Sequence, residues 1–280
     1  MGSYQRPTDL EDGLRALAAG TLTIVAGGTD YYPARVERPL AEDVLDITAI
    51  AALGGIAATE DGYRIGAGVT WSELIATRLP RCFDGLKQAA REVGGRQIQN
   101  AGTLAGNLCN ASPAADGTPP LLALDARVEL ASLAGVRALP LSEFVTGNRR
   151  TRRRPDELVT AILVPAPVLP ARSRFLKLGA RKYLVISIVM VAAVLEEAEN
   201  GTVAAARVAV GACSVVARRL PDLEAALVGR RLDSRLGAAV EPAHLADLTP
   251  IDDIRGPAEY RRDAALILTR RILAQLGQGP

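Results

Sequence analysis

The sequence predicts a mixed helix-and-sheet fold, α+β or α/β, arranged in two domains, and three observations carry that expectation. Segments of helical and strand-like periodicity alternate along the chain, two glycine-rich loops interrupt them, and a proline-rich stretch at residues 165–173, PAPVLPARS, divides the 280 residues unequally. Hydrophobic residues make up 49% and charged residues 23%, the balance of a folded chain with a sizeable core and not of a disordered one.

Each element follows from a local pattern. Residues 8–19 place Leu10, Leu14, Leu17 and Ala18 at helical spacing behind Thr8, with Glu11 three positions on, so a capped helix is expected with Thr8 as its cap. The run TLTIVAGGTDYYP at residues 21–33 is apolar and β-branched until Gly27 and Gly28 stop it, and residues 43–47 form a further strand candidate. Residues 62–69 alternate like a strand. A helix begins at residues 70–77, capped by Thr70 or Ser72, and its Trp71 is assigned to the core. Residues 85–93 read as a helix. The following stretch, GGRQIQNAGTLAGNLCNASPAADGTPP at 94–120, is so interrupted by Gly, Asn, Ser and Pro that a long ordered loop is expected, and loops of that length in compact domains are usually functional. A strand follows at 126–132. Beyond the prolines, residues 184–195 and 203–210 are strand-like, and helical segments start near Leu220, Pro242 and Ala258.

Composition narrows the function classes. With 33 basic against 31 acidic side chains the net charge is +2, so no global field draws the chain to nucleic acid or an anionic membrane. Cys82, Cys109 and Cys213 are widely spaced and contain no C-x-x-C, which argues against a disulfide framework, a zinc site or an iron–sulfur cluster and favours a reducing cytoplasm. His244 is the single histidine and is taken as a surface residue; a Ser-His-Asp triad has little to draw on, and no catalytic or metal-ligating residue is assigned. The start of the sequence has no apolar signal core, and the longest apolar run, at 183–195, falls short of the ~20 residues of a bilayer span.

Two segments could hold a ligand. In IVAGGTD the glycines sit directly after an apolar strand, where missing Cβ atoms let backbone N–H groups surround an anion such as a phosphate; the bland reading is a tight turn between strands. The sequence is neither a P-loop nor G-x-G-x-x-G. In the second segment Thr103, Ala105, Gly106, Asn107, Asn110, Ser112 and Asp116 combine backbone access with hydroxyl, amide and carboxylate groups, against the alternative of local Asx and Ser/Thr turns. Two such loops in one chain favour a polar ligand. Arg149, Arg150, Arg152, Arg153 and Arg154 form an arginine-rich stretch read either as a solvated loop or as a docking surface for an acidic partner or an anionic nucleotide.

Four blocks in order, AGGTD, IQNAGTLAGNLCNASPAADGTPPLLALDARVEL, FLKLGARKYLVISIVMVAA and IDDIRGPAEYRRDAALILTRRIL, make nearly the whole chain resemble the FAD-binding medium subunit of the molybdenum hydroxylases, the family of carbon monoxide and xanthine dehydrogenases. The resemblance implies a vanillyl-alcohol-oxidase-type FAD-binding domain over residues 1–168, built of two α/β subdomains (about 1–56 and 57–168), and a small C-terminal α/β domain with a three-stranded sheet over 171–278. It implies FAD on this chain, and molybdopterin cofactor and iron–sulfur clusters on a large and a small partner subunit of a heterotrimer, single or doubled. Electrons would reach FAD from the iron–sulfur clusters and pass to NAD or another acceptor.

Carried over residue by residue, the resemblance puts Val25, Ala26, Gly27, Gly28, Thr29, Asp30, Tyr31 and Tyr32 on the cofactor, together with Thr103, Ala105, Gly106, Asn107, Cys109 and Asn110. The amides of Gly27, Gly28 and Gly106 are expected to meet phosphate oxygens, with hydroxyls from Thr29 and Thr103. Asp116 is expected to accept hydrogen bonds from flavin hydroxyls, and Tyr183 and Ile186 to border the ring. Cys109 is taken as a small buried filler. Relatives usually carry Gly-Gly-Asn where this chain has Ala105-Gly106-Asn107; if that position needed positive φ, the extra methyl would weaken FAD binding. No cysteine-rich insertion of the benzoyl-CoA-reductase type is present. The rival readings are a stand-alone flavin-dependent oxidoreductase and a noncatalytic scaffold that has lost FAD.

Overall fold

A computed structural model describes residues 2–35 and 41–278. The first part is a three-stranded parallel sheet, with β1 (Tyr4–Gln5) and β2 (Thr23–Val25) flanking β3 (Val44–Asp46), and with helix α1 (Leu10–Ala19) connecting β1 to β2. The α1 helix starts one residue later than its capping pattern suggests: Asp9, not Thr8, is the cap, its carboxylate accepting the Glu11 amide at 2.8 Å.

The second part is a five-stranded antiparallel sheet in the order β4 (Ile56–Thr59), β5 (Gly62–Gly66), β10 (Leu158–Pro165), β6 (Arg127–Ser132), β7 (Gly135–Pro140). Between β5 and β6 lie α2 (Trp71–Ala76), α3 (Asp84–Glu92), α4 (Arg96–Ala101), α5 (Leu104–Asn110) and α6 (Thr118–Ala123). Thr70 and Glu73 close a full capping box at the start of α2, and Trp71 is buried as expected. The stretch at 94–120 is therefore not a loop: it folds into three helices of six or seven residues joined by tight turns. All six residues of α6 are buried, so packing, rather than propensity, forms it. Between β7 and β10, α7 (Leu141–Phe144) leads into a small arm formed by β8 (Val145–Gly147) and β9 (Arg150–Thr151).

The third part is an antiparallel sheet, β11 (Ala171–Leu178), β12 (Val189–Glu197) and β13 (Val203–Gly211), extended by the two-residue edge strand β14 (Arg218–Arg219). The run at 184–195 becomes strand only from Val189. Strand side chains alternate between faces. On β12, Met190, Ala192 and Val194 join the large core shared with the first two parts, while Val189, Val191, Ala193 and Leu195 join a second core. That second core is covered by α8 (Pro221–Leu227) and α9 (Ala258–Gly277), and α3 and α6 cover the opposite face. On α9 the buried Ala264, Leu268, Ile272 and Leu276 recur every four residues; each fully buried Leu or Ile contributes about 2 kcal/mol. No helix among the described residues is long and apolar enough to cross a membrane.

Candidate functional site

The two glycine loops meet. Gly27, two residues past β2, lies so close to the end of α4 that a Cβ there would stand 1.7 Å from the Ala101 carbonyl oxygen, so only glycine fits. Gly28 takes φ of +67°, and its carbonyl accepts the Tyr32 amide at 3.0 Å, closing a turn. Within that turn the backbone N–H groups of Gly27, Gly28, Thr29, Asp30 and Tyr31 have no acceptor among the described residues. The residues of this turn are half-buried or exposed, and five unpaired amides in succession form a donor set suited to phosphate oxygens. The Thr29 hydroxyl adds a donor beside Gly102.

On the facing loop Thr103 caps α5, but its hydroxyl accepts the Gly106 amide at 2.9 Å. The Gly106 amide expected to face a phosphate is thus engaged by Thr103, while the Thr103 hydroxyl, acting as acceptor, keeps its own hydrogen to donate. The Leu104 amide is also used, donating to the Val69 carbonyl at 3.1 Å, while the Thr103 and Ala105 amides have no acceptor among the described residues. Ala105 has ordinary helical backbone and its side chain is buried in the core, so the methyl that departs from Gly-Gly-Asn neither strains the chain nor narrows the mouth. Asn107 is turned to structure, its Oδ1 accepting the Gly117 amide at 3.3 Å. Cys109, one turn after the buried Ala105 on α5, is exposed and not a buried filler.

Further polar groups close over this junction. Arg149, at the tip of the β8–β9 arm, reaches back with Nη1 to Asp30 Oδ2 at 2.7 Å and also to Asn110 Oδ1. Two other arginines of the stretch are also committed: Arg152 pairs with Glu143 at 3.1 Å, and Arg153 donates to the carbonyls of Arg154, Pro155 and Glu157. Tyr31 stacks edge-on with Tyr32 at 5.2 Å beneath the Arg35 guanidinium, and its hydroxyl is buried without a partner among the described residues.

Asp116 is buried at the start of α6, but its carboxylate already has partners: Lys177 Nζ on β11 donates to Oδ2 at 2.6 Å and the Ser187 hydroxyl donates to Oδ1 at 2.6 Å. Burial pushes the Asp116 carboxyl up from its ordinary value, and the ammonium and hydroxyl pull it back. A carboxylate offers about four acceptor positions, so acceptor capacity remains beyond these two bonds. Lys177 and Ser187 are the partners that pattern reading did not assign to Asp116; the sequence signal for Lys177 was a lone lysine between Leu176 and Leu178. Tyr183 and Ile186 are 60% and 54% exposed, on the segment that runs back from β11 towards β12, while Ser187 to Val189 are buried. Between that segment and α3 opens a cleft of about 500 Å³ with Arg91, Arg181 and Lys182 on its walls.

Comparison with known proteins agrees with this geometry. Residues 1–167 match the FAD binding domain in molybdopterin dehydrogenase, and residues 174–276 match the CO dehydrogenase flavoprotein C-terminal domain. The chain is 30% identical over 278 residues to the xanthine dehydrogenase FAD-binding subunit of Escherichia coli O157:H7, covering 98% of this chain and 95% of that one. It is 31% identical to the carbon monoxide dehydrogenase medium chain of Afipia carboxidovorans, covering 96% and 94%. Among solved structures it superposes on quinoline 2-oxidoreductase from Pseudomonas putida 86 with a TM-score of 0.90 at 27% identity, covering 100% of this chain and 98% of that one.

Proposed function

The chain belongs to the family of FAD-binding medium subunits of the molybdenum hydroxylases, and from that premise we propose that it relays electrons between iron–sulfur clusters on a partner and a final acceptor, NAD or another. The single observation that carries this reading furthest is the run of five amides at Gly27 to Tyr31 without a partner among the described residues, set against a second loop that offers the Thr103 and Ala105 amides. FAD, when bound, supplies a centre that takes electrons singly and gives them up in pairs.

The chain's own task is to bind and position. Residues 25–32 and 103–110 hold the pyrophosphate through backbone donors and the Thr29 hydroxyl, which strengthen against a charged acceptor. Asp116, fixed by Lys177 and Ser187, offers its remaining acceptor positions to the ribityl hydroxyls. Tyr183 and Ile186 stand exposed on a segment that can border the ring. Residues 1–168, dividing near residue 56, form the FAD-binding part and residues 171–278 the C-terminal part. No protein acid or base is required, since the hydroxylation belongs to the molybdenum subunit, which also selects the substrate. The complex is a cytoplasmic heterotrimer with a large molybdopterin subunit and a small iron–sulfur subunit, single or doubled.

The test is a partner-complete complex stripped of flavin. Added substrate should still bleach the iron–sulfur absorbance, while reduction of the acceptor disappears and returns with FAD. A complex whose acceptor reduction is indifferent to flavin removal contradicts the relay.

A further inference from the structure

Arg149 occupies a position that its backbone disfavours. Its φ is +57°, the left-handed region that an L side chain enters at a cost and that glycine or asparagine ordinarily fills in a hairpin turn. Strain kept at an exposed arginine points to something the guanidinium does. The arm is fixed at its base, where Glu157 accepts two bonds from Arg137 and the Arg154 amide at 2.7 Å, and Arg153 holds three carbonyls. At the tip, the Arg149 amide donates to the Ala111 carbonyl at 2.9 Å, so the arm rests on the end of α5, and Ala111 is itself left-handed at φ of +49°. One guanidinium nitrogen then spans Asp30, on the first glycine loop, and Asn110, at the end of the helix that begins the second.

We infer that Arg149 is a latch that ties the two cofactor loops to each other and sets how long FAD stays bound between them. The inference rests on the FAD-binding reading of those loops. Arg149 is a positioning residue here, acting through Asp30 and Asn110. The pair with Asp30 is more than half exposed on both sides, so water and salt loosen it readily while the arm's base stays in place. A contact of that kind opens without unfolding anything, which suits an entry point.

The test measures FAD release from the flavin-loaded full chain by recovery of flavin fluorescence after dilution. Arg149→Ala and Asp30→Asn should each speed release about fivefold, and the double variant should be no faster than either single one. Release from the unaltered chain should quicken with added salt, and release from Arg149→Ala should not. Arg149→Lys should restore most of the retention. Arg149→Gly separates the latch from a purely structural role, because the flavin-free variant should melt about 3 °C higher through relief of strain while still releasing FAD faster. Unchanged release in Arg149→Ala and Asp30→Asn, or effects that multiply in the double variant, overturn the latch and leave the FAD site standing. An unaltered chain that holds no FAD overturns both.

Discussion

Lys177 and Asp116 form an ion pair of 2.6 Å that joins β11 to the start of α6, with only 6% and 8% of the two side chains exposed. The same carboxylate fixes Ser187, so one buried acid holds the strand, the returning segment and the helix in register. Breaking such a pair from one side leaves a buried charge without compensation, whereas neutralising both sides removes the demand. Asp116→Ala should cost about 3 kcal/mol of stability, and Asp116→Asn combined with Lys177→Met should cost less than about 1 kcal/mol, both read by urea denaturation of the flavin-free chain.

Gly27→Ala should be the most damaging small change at the loops. The added methyl has no space beside the Ala101 carbonyl, so the first loop must move off the second or the end of α4 must shift. A loss of about 3 kcal/mol and a chain that purifies with little flavin are the expected outcomes, measured by thermal melting and by flavin absorbance per chain.

Ala105→Gly reverses the departure from the family's glycine pair and should gain nothing. Its backbone is helical, its methyl faces the core and its open amide is present with either residue. FAD titration of the flavin-free chain should give an unchanged affinity, and the helix should lose about 1 kcal/mol.

Much of this arrangement is written in local pattern. The helix start at Thr70, the β-branched run ending at Gly27, the alternating run at 62–69 and the apolar run that holds β12 each need only a few neighbouring residues to be recognised. What stays hidden depends on distant partners. Helices α4, α5 and α6 are each shorter than two turns and rich in residues that favour turns, so no periodicity reveals them; α6 exists because all its side chains are enclosed by α3, β12 and β13. Thr103 and Gly106 look like two phosphate donors in sequence, and in the structure the Gly106 amide donates to the Thr103 hydroxyl. Nothing local in the arginine stretch singles out Arg149, whose partners lie 119 and 39 positions away.

The arm that carries Arg149 should loosen in acid. Glu157 is buried, which by itself raises its carboxyl, but the Arg137 guanidinium and the Arg154 amide outweigh burial and hold it below its ordinary value of 4.5. A depressed carboxylate contributes stability that is present above 4.5 and is lost as pH falls through the lower folded value. Glu157→Gln should therefore cost about 2 kcal/mol at pH 7, and the gap between the two proteins should close as the pH drops below that window. Denaturation midpoints measured from pH 7 to pH 3 read this directly; a gap that stays constant would show that Arg137 holds the arm without the charge of Glu157.

Flavin content tests the central claim most directly. The chain should be purified with its natural partners, its visible spectrum recorded, and the chromophore released with acid and identified. One releasable FAD per chain, beside iron–sulfur absorbance from the partner, is the expected result. An intact complex that carries iron–sulfur clusters but no FAD would contradict the assignment of the two glycine loops to the cofactor, and with it the electron relay built on them.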